Sequence, residues 1–331
     1  MPRSNFERAW EEVYQAVLRE DIPGAALGYV DAQGARLSMY AGFAAWLPER
    51  MPLERHMYFD LASLTKVLFT THSFLVLFEK GEISFDESLG SFFRELRAGS
   101  GTSPLAGLTL RDLLGHISGL PAVAPEFFNK LGANELKHLF LEYDWPVGAD
   151  VYSDVNFELL GFVLERVLGD DLRRLVPGQY KVCPEPSLAV STEFSEMRGG
   201  IVIRGQPHDD TAFALGGMAG HAGLFGTIDA VLDFLALLVQ GQAYKPGTLE
   251  KITIPVRPTR GMGWELAHEG WSGGNTCSNR TIGHTGFTGT GVWVDLMYGE
   301  AWTLLTNRVH PTREGEGIQD VRRALHDAIF S

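Results

Sequence analysis

Strand-forming segments cluster at the two ends of this chain and are sparse between them, and that distribution restricts the fold more than any other feature of the sequence. Residues 25–30 and 35–41, joined by Asp31-Ala32-Gln33-Gly34, read as a β-hairpin. Toward the other end, residues 261–266, 281–287, 291–297 and 301–307 are short and apolar-aromatic, and Tyr298-Gly299-Glu300 is the turn between the last two. A helix stands outside each set. Phe6, Ala9, Trp10, Val13, Ala16 and Val17 recur with helical period over 5–20, and a closing helix is expected over 317–330. Such ends join as one antiparallel sheet with helices against its faces.

The middle of the chain carries helical signals. Thr109 caps a helix start at Leu110-Arg111-Asp112, residues 134–141 and 156–168 have helical period, and a further helix is expected over 228–238. Residues 170–204, punctuated by Pro177, Pro184 and Pro186, read as loop. The expectation is an α/β chain of the α+β type. Its antiparallel sheet unit comes from residues 1–75 and 211–331, its mostly helical unit from 76–210, and the cleft between them is the natural substrate site.

Charge narrows the partners. A net charge of −13 would repel a phosphate backbone or an anionic bilayer, so neither nucleic acid nor membrane is expected. No run has the apolar length of a membrane span, and the first residues lack the apolar core of a signal peptide, which predicts a cytoplasmic location. Cys183 and Cys277 are too few for a disulfide framework and suit a reducing compartment. No long exposed apolar stripe indicates an oligomeric state.

The chemistry starts at Phe59-Asp60-Leu61-Ala62-Ser63-Leu64-Thr65-Lys66, at the opening of a helix expected to run to about residue 79. Positions i and i+3 share a helix face, which brings the Ser63 hydroxyl and the Lys66 amine within hydrogen-bond reach. A serine is a weak nucleophile until a base takes its proton, and a lysine can be that base where desolvation or a neighbouring cation lowers its pKa. N–H groups at a helix start favour the anion that forms when a carbonyl is attacked. Leu61, Ala62, Leu64, Val67, Leu68 and Phe69 make the stretch apolar, so Lys66 is largely buried, where an unpaired ammonium is costly.

Two further segments supply company. Tyr152 ends a loop just before a helix, where a phenolate stabilised by nearby cations can act as a general base and its protonated form can return the proton to a leaving group. The segment Ile282-Gly283-His284-Thr285-Gly286-Phe287 is a strand running into glycines, where a substrate can approach the backbone and an amide N–H can meet an oxyanion.

In chain order, Ser63-Leu64-Thr65-Lys66, Tyr152-Ser153-Asp154 and His284-Thr285-Gly286 resemble the three motifs of the serine β-lactamase and penicillin-binding protein superfamily. The tyrosine makes the chain similar to the class C branch, with its related esterases and D-amino-acid peptidases. Leu110 to Leu120, Gly261-Met262-Gly263-Trp264-Glu265 and Leu304-Leu305-Thr306-Asn307 agree with it. The resemblance implies that Ser63 is the acylated nucleophile, that Lys66 and Tyr152 share the proton work, and that the N–H groups of Ser63 and Phe287 form the oxyanion hole. Asp154, His284, Thr285 and Gly286 are the implied substrate contacts. No cofactor is implied, and no metal: His208, Asp209, Asp210 and His221 are ligand types, but the resemblance places them in structural turns.

Two departures bear on substrate. Asp154 stands where the superfamily usually has asparagine, and a carboxylate cannot donate a hydrogen bond to a β-lactam side chain. His284 stands where lysine is most frequent; it can still donate a hydrogen bond, but its charge is not assured at neutral pH. Both weaken recognition of a carboxylate-bearing β-lactam. The expected function is therefore a serine hydrolase with an acyl-enzyme on Ser63, acting as an esterase or an amidase-peptidase on small ester, amide or peptide substrates. The alternatives are a β-lactamase or D-alanyl-D-alanine carboxypeptidase, and a catalytically inactive binding or sensing protein that keeps the fold.

Overall fold

The computed structural model describes residues 3–97, 103–315 and 317–330. In chain order its strands are β1 (Gly24–Asp31), β2 (Arg36–Ala45), β3 (Met51–Pro52), β4 (Phe59–Asp60), β5 (Ser191–Ser195), β6 (Ile201–Arg204), β7 (Phe225–Gly226), β8 (Glu265–Leu266), β9 (Thr281–Thr285), β10 (Gly291–Asp295) and β11 (Glu300–Thr306). Seven of them form one antiparallel sheet in the order β3-β2-β1-β11-β10-β9-β8. The central pairing joins the chain ends: β1 runs against β11 from Ala25 opposite Thr306 to Asp31 opposite Glu300. The distribution of strand signals anticipates this sheet.

Alternation along the strands divides the core in two. Leu27 and Tyr29 of β1, Trp293 of β10 and Trp302 and Leu304 of β11 face the helices Arg3–Leu18 and Ile318–Phe330. On the other face, Ala26, Val30, Val292, Val294, Ala301 and Leu305 meet Val231, Leu232 and Leu235 of the helix Ile228–Val239. Gly28 lies at the tightest point of that second contact, where a Cβ would come within 2.9 Å of Leu232 Cδ1. The larger core continues beneath the Ser63 segment into the helical region, through Leu64, Val67, Leu68, Phe157 and Leu160.

Three expectations need correction. Residues 170–204 are not simply loop: Asp171 caps a short helix, Leu172–Leu175, and β5 pairs with β6 as a separate hairpin. The prolines end at Pro186, before that hairpin, and its turn is closed by Gly199 and Gly200 in the left-handed region. Of residues 261–266 only β8 is strand, because Gly263 instead packs on Thr71 Oγ1, where a Cβ would stand 2.1 Å away. The helix after Ser63 is composite: a 3₁₀ turn over Ala62–Leu64, a π-type segment over Lys66–Thr71 and an α-helix over His72–Lys80. Among the described residues, no helix is long and apolar enough to cross a membrane.

Candidate active site

The segment that carries Ser63 is held in an unusual shape. Ala62 has φ +46°, a left-handed conformation that a residue with a Cβ adopts only where its surroundings impose it. The buried Asp60 carboxylate imposes it, accepting the Ala62 N–H at 2.8 Å through Oδ1 and the His208 N–H at 2.7 Å through Oδ2. The Thr65 hydroxyl donates back to Ala62 O at 2.6 Å and accepts from Leu224 N. Ser63 is left half-buried, at the mouth of the helix.

Lys66 lies one turn on and is fully buried. Its Nζ donates to Ser63 Oγ at 3.0 Å and to Asp154 Oδ1 at 2.7 Å. Burial alone would lower the lysine pKa, but Asp154, with Tyr152 beside it, outweighs that, and the pKa stands above the ordinary value. The Asp154 charge thus favours the protonated lysine and works against the desolvation that would free Lys66 as a base. Asp154 was expected to lose a substrate contact, and the structure gives it the lysine instead.

Tyr152 is set by residues from three segments. His116, itself at φ +55°, accepts the Ser153 N–H on Nδ1 at 3.0 Å and lies 4.6 Å from the Tyr152 ring, centroid to centroid. Ser153 Oγ donates to Pro121 O, and Asp154 N donates to Ala122 O. Residues 116–122 thus cradle the tyrosine motif. Two cations lie close to the ring: Lys66 Nζ at 4.8 Å and Arg260 Cζ at 4.7 Å from its centroid. Arg260 was missed from the sequence because nothing in its spacing ties it to Tyr152.

β9 delivers the third motif. Gly286 is required at its end: a Cβ there would lie 2.1 Å from Thr290 Oγ1 and 2.7 Å from Leu61 O, so only glycine lets this strand lie against the Ser63 segment. His284 is buried, with its ring 5.9 Å from that of Tyr152. Burial, then Arg260 and Lys66, push its pKa well below 6.5. Because Nδ1 faces Thr285 O at 2.9 Å, it must carry the proton, which leaves Nε2 an acceptor with no partner among the described residues. The expected donor is therefore an acceptor. Phe287, half-exposed, stacks on His208 at 5.4 Å and lies beneath Arg308 Cζ at 4.8 Å.

Ser63, Tyr152, His284, Thr285, Gly286 and Phe287 line one cleft of about 340 Å³. Arg260, Arg308 and Arg322 line it too, the last from the closing helix. Arg322 is buried and donates through Nη2 to Thr290 O at 2.8 Å, while its Nε and Arg260 Nη1 have no partner among the described residues. The positive charge that histidine fails to supply at position 284 is present from other segments.

The sheet, the Ser63 segment and this cleft have counterparts in known proteins. A family model described as Beta-lactamase matches residues 3–326. The chain belongs to the beta-lactamase family. Like other members of the beta-lactamase family it is a serine hydrolase. An Escherichia coli O157:H7 protein named "Putative D-alanyl-D-alanine carboxypeptidase" is 30% identical over 303 residues, covering 76% of this chain and 69% of the relative. In fold, the chain is similar to EstCE1, a hydrolase with promiscuous acyltransferase activity (TM-score 0.79, 17% identity, 99% of each chain). It is also similar to a class C beta lactamase from Rhodobacter sphaeroides (TM-score 0.73, 19% identity, 97% of this chain and 98% of the other).

Proposed function

We propose that the chain hydrolyses small peptides or amides that carry a carboxylate next to the scissile bond, through an acyl-enzyme on Ser63. The observation that carries this reading is the Lys66 ammonium, held 3.0 Å from Ser63 Oγ and 2.7 Å from Asp154 Oδ1. An ammonium cannot take the serine proton, so the acceptor in this reading is the Tyr152 oxygen, on a ring whose centroid is 4.8 Å from Lys66 Nζ and 4.7 Å from Arg260 Cζ. As Ser63 Oγ bonds to the carbonyl carbon, its proton passes to the oxygen of Tyr152 in its phenolate form, with Lys66 and Arg260 as the neighbouring cations. The N–H groups of Ser63 and Phe287 hold the oxyanion. Tyr152 then protonates the departing amine, the C–N bond breaks, and water later cleaves the ester on Ser63 by the reverse proton path.

The carboxylate preference rests on Arg260 and Arg322, two cationic side chains that line the same cleft as Ser63. It agrees with the carboxypeptidase name of the Escherichia coli relative. Esters are the second reading, favoured by the acyltransferase activity of EstCE1. A cytoplasmic setting belongs to this proposal as well, and both cysteines are unpaired, in keeping with it.

Intact-mass spectrometry after exposure to a fluorophosphonate, a p-nitrophenyl ester, a penicillin and an acyl-D-alanyl peptide, with Ser63→Ala in parallel, tests the reading. A Ser63-dependent phosphonate adduct together with peptide turnover supports it. Turnover of the ester alone supports the second reading, and the absence of any adduct overturns both.

A further inference from the structure

Behind the Lys66–Asp154 pair lies a second buried ion pair that the mechanism above does not use. Gly220 lets the loop after the Asp210–Ala214 helix lie directly on the helix Asp154–Leu168, since a Cβ there would fall 1.9 Å from Phe157 O. That contact seats His221, 1% exposed, beside Glu158, one turn beyond Asp154. His221 Nε2 is 2.9 Å from Asp209 Oδ1, and its Nδ1 faces Glu158 Oε1 at 3.6 Å. Donor atoms of Asp154, Asp209 and His221 all lie within 4.8 Å of one another. These groups come from four segments, and from Ser63 inward the charges alternate: Lys66 positive, Asp154 negative, His221 positive, Asp209 negative. Burial opposes a charged His221, yet Asp209 outweighs it and raises its pKa to about 9. Glu158, raised by burial to about 8, keeps its proton and adds no charge at neutral pH.

We propose that His221 is a positioning residue for the Ser63 chemistry: set against both Asp154 and Asp209, it offsets the second carboxylate and leaves Asp154 to pair with Lys66 and aim it at Ser63. The inference rests on the acyl-enzyme reading for its catalytic meaning, but its electrostatic content stands apart from it. Without the imidazolium, two carboxylates within 4.8 Å share a single cation, and like charges at that distance drive one of them to take a proton. When Asp154 is the one, Lys66 loses its counter-charge inside an apolar surround and sheds its own proton.

Charge arithmetic supplies the test. His221→Asn removes one positive charge and unbalances the chain of four; His221→Asn with Asp209→Asn removes a complete pair and restores the balance between Lys66 and Asp154. The rate of Ser63 phosphonylation by a fluorophosphonate at pH 7 should fall about tenfold or more in the single variant, on the scale of a misplaced proton partner. The double variant should recover most of that rate, although it carries more damage. Asp209→Asn alone should stay near the parent, and thermal melts establish that each variant folds. A double variant as slow as the single one, or a single variant as fast as the parent, overturns the proposal. A parallel measurement in the Ser63→Ala background needs no catalysis: the Lys66 side chain, titrated by carbon and nitrogen NMR, should lose its proton at lower pH in His221→Asn and regain its parental titration in the double variant. An unchanged Lys66 titration overturns the inference even where Ser63 reacts normally, and absence of Ser63 labelling in the parent overturns the hydrolase reading while this titration still decides the role of His221.

Discussion

Lys66 Nζ stands closer to Asp154 Oδ1, at 2.7 Å, than to Ser63 Oγ, at 3.0 Å. The lysine is thus first a partner of the carboxylate and second a neighbour of the serine, and the serine proton needs another acceptor. Asp154 belongs to the chain's own version of the tyrosine motif, so one residue couples the two motifs electrostatically.

Asp154→Ala should be costly twice over. It strands a fully buried ammonium, which destabilises the fold by about 3 kcal/mol in a denaturant melt. Burial then lowers the Lys66 pKa, and phosphonylation of Ser63 at pH 7 should slow by about tenfold or more. Asp154→Asn keeps an acceptor for Lys66 without the charge, so it should recover most of the stability and little of the rate. A variant with parental labelling kinetics would show that the ion pair is structural only.

Arg260→Ala separates substrate classes. Arg260 lines the cleft, and a charge-assisted hydrogen bond to a substrate carboxylate amounts to about 1.5–3 kcal/mol. Removing it should raise KM for an acyl-D-alanyl peptide by roughly 10- to 100-fold and leave KM for a neutral p-nitrophenyl ester close to the parent value. Equal losses on both substrates would instead indicate that Arg260 acts through the Tyr152 ring beneath it.

What was legible in the sequence was local. The spacing of Ser63 and Lys66 is a property of one helical turn, and the β1 and β11 segments announce themselves by composition and flanking turns. Partnerships across the chain were not legible: Lys66 and Asp154 are 88 residues apart, and nothing in the neighbourhood of Arg260 or Arg322 marks them as cleft residues. The hydrogen-bonding sense of His284 was misread for a related reason. Which of its nitrogens bears the proton is decided by Thr285 O, a contact that exists only in the folded strand. His116 lies within the Leu110 to Leu120 stretch, and its contacts with Ser153 and Tyr152 exist only in the folded chain.

Glu158 makes stability depend on pH. Its carboxyl is raised by burial from 4.5 to about 8, so between those values the folded chain holds a proton that the unfolded chain has released. Stability contributed this way is complete below about pH 4.5 and is lost as pH rises through about 8. Glu158→Gln cannot ionise and should escape the loss. The variant's Tm should exceed that of the parent at pH 8, and the gap should close by about pH 4.5. A gap that is constant across that range would mean that Glu158 is not held neutral.

Asp60→Asn probes the oxyanion hole from behind. Asp60 Oδ1 and Oδ2 accept from Ala62 N and His208 N, and its main-chain oxygen accepts the Thr288 hydroxyl at 2.7 Å. Ala62 precedes Ser63 and Thr288 follows Phe287, so a single residue braces the backbone on both sides of the two N–H groups assigned to the oxyanion. Burial raises the Asp60 pKa while the two N–H bonds oppose that rise, and in the asparagine variant one of those N–H groups must face an amide donor instead of an acceptor. The left-handed Ala62 then loses the contact that imposes it, and the Ser63 N–H turns away from its aim. Because the substitution is close to isosteric, the chain should fold with a modest fall in Tm. Loss of one oxyanion donor corresponds to about 10²-fold or more in kcat, and KM should hardly change, since the donors act on the transition state. A rise in KM at constant kcat would place Asp60 in substrate binding and remove it from the support of the oxyanion hole.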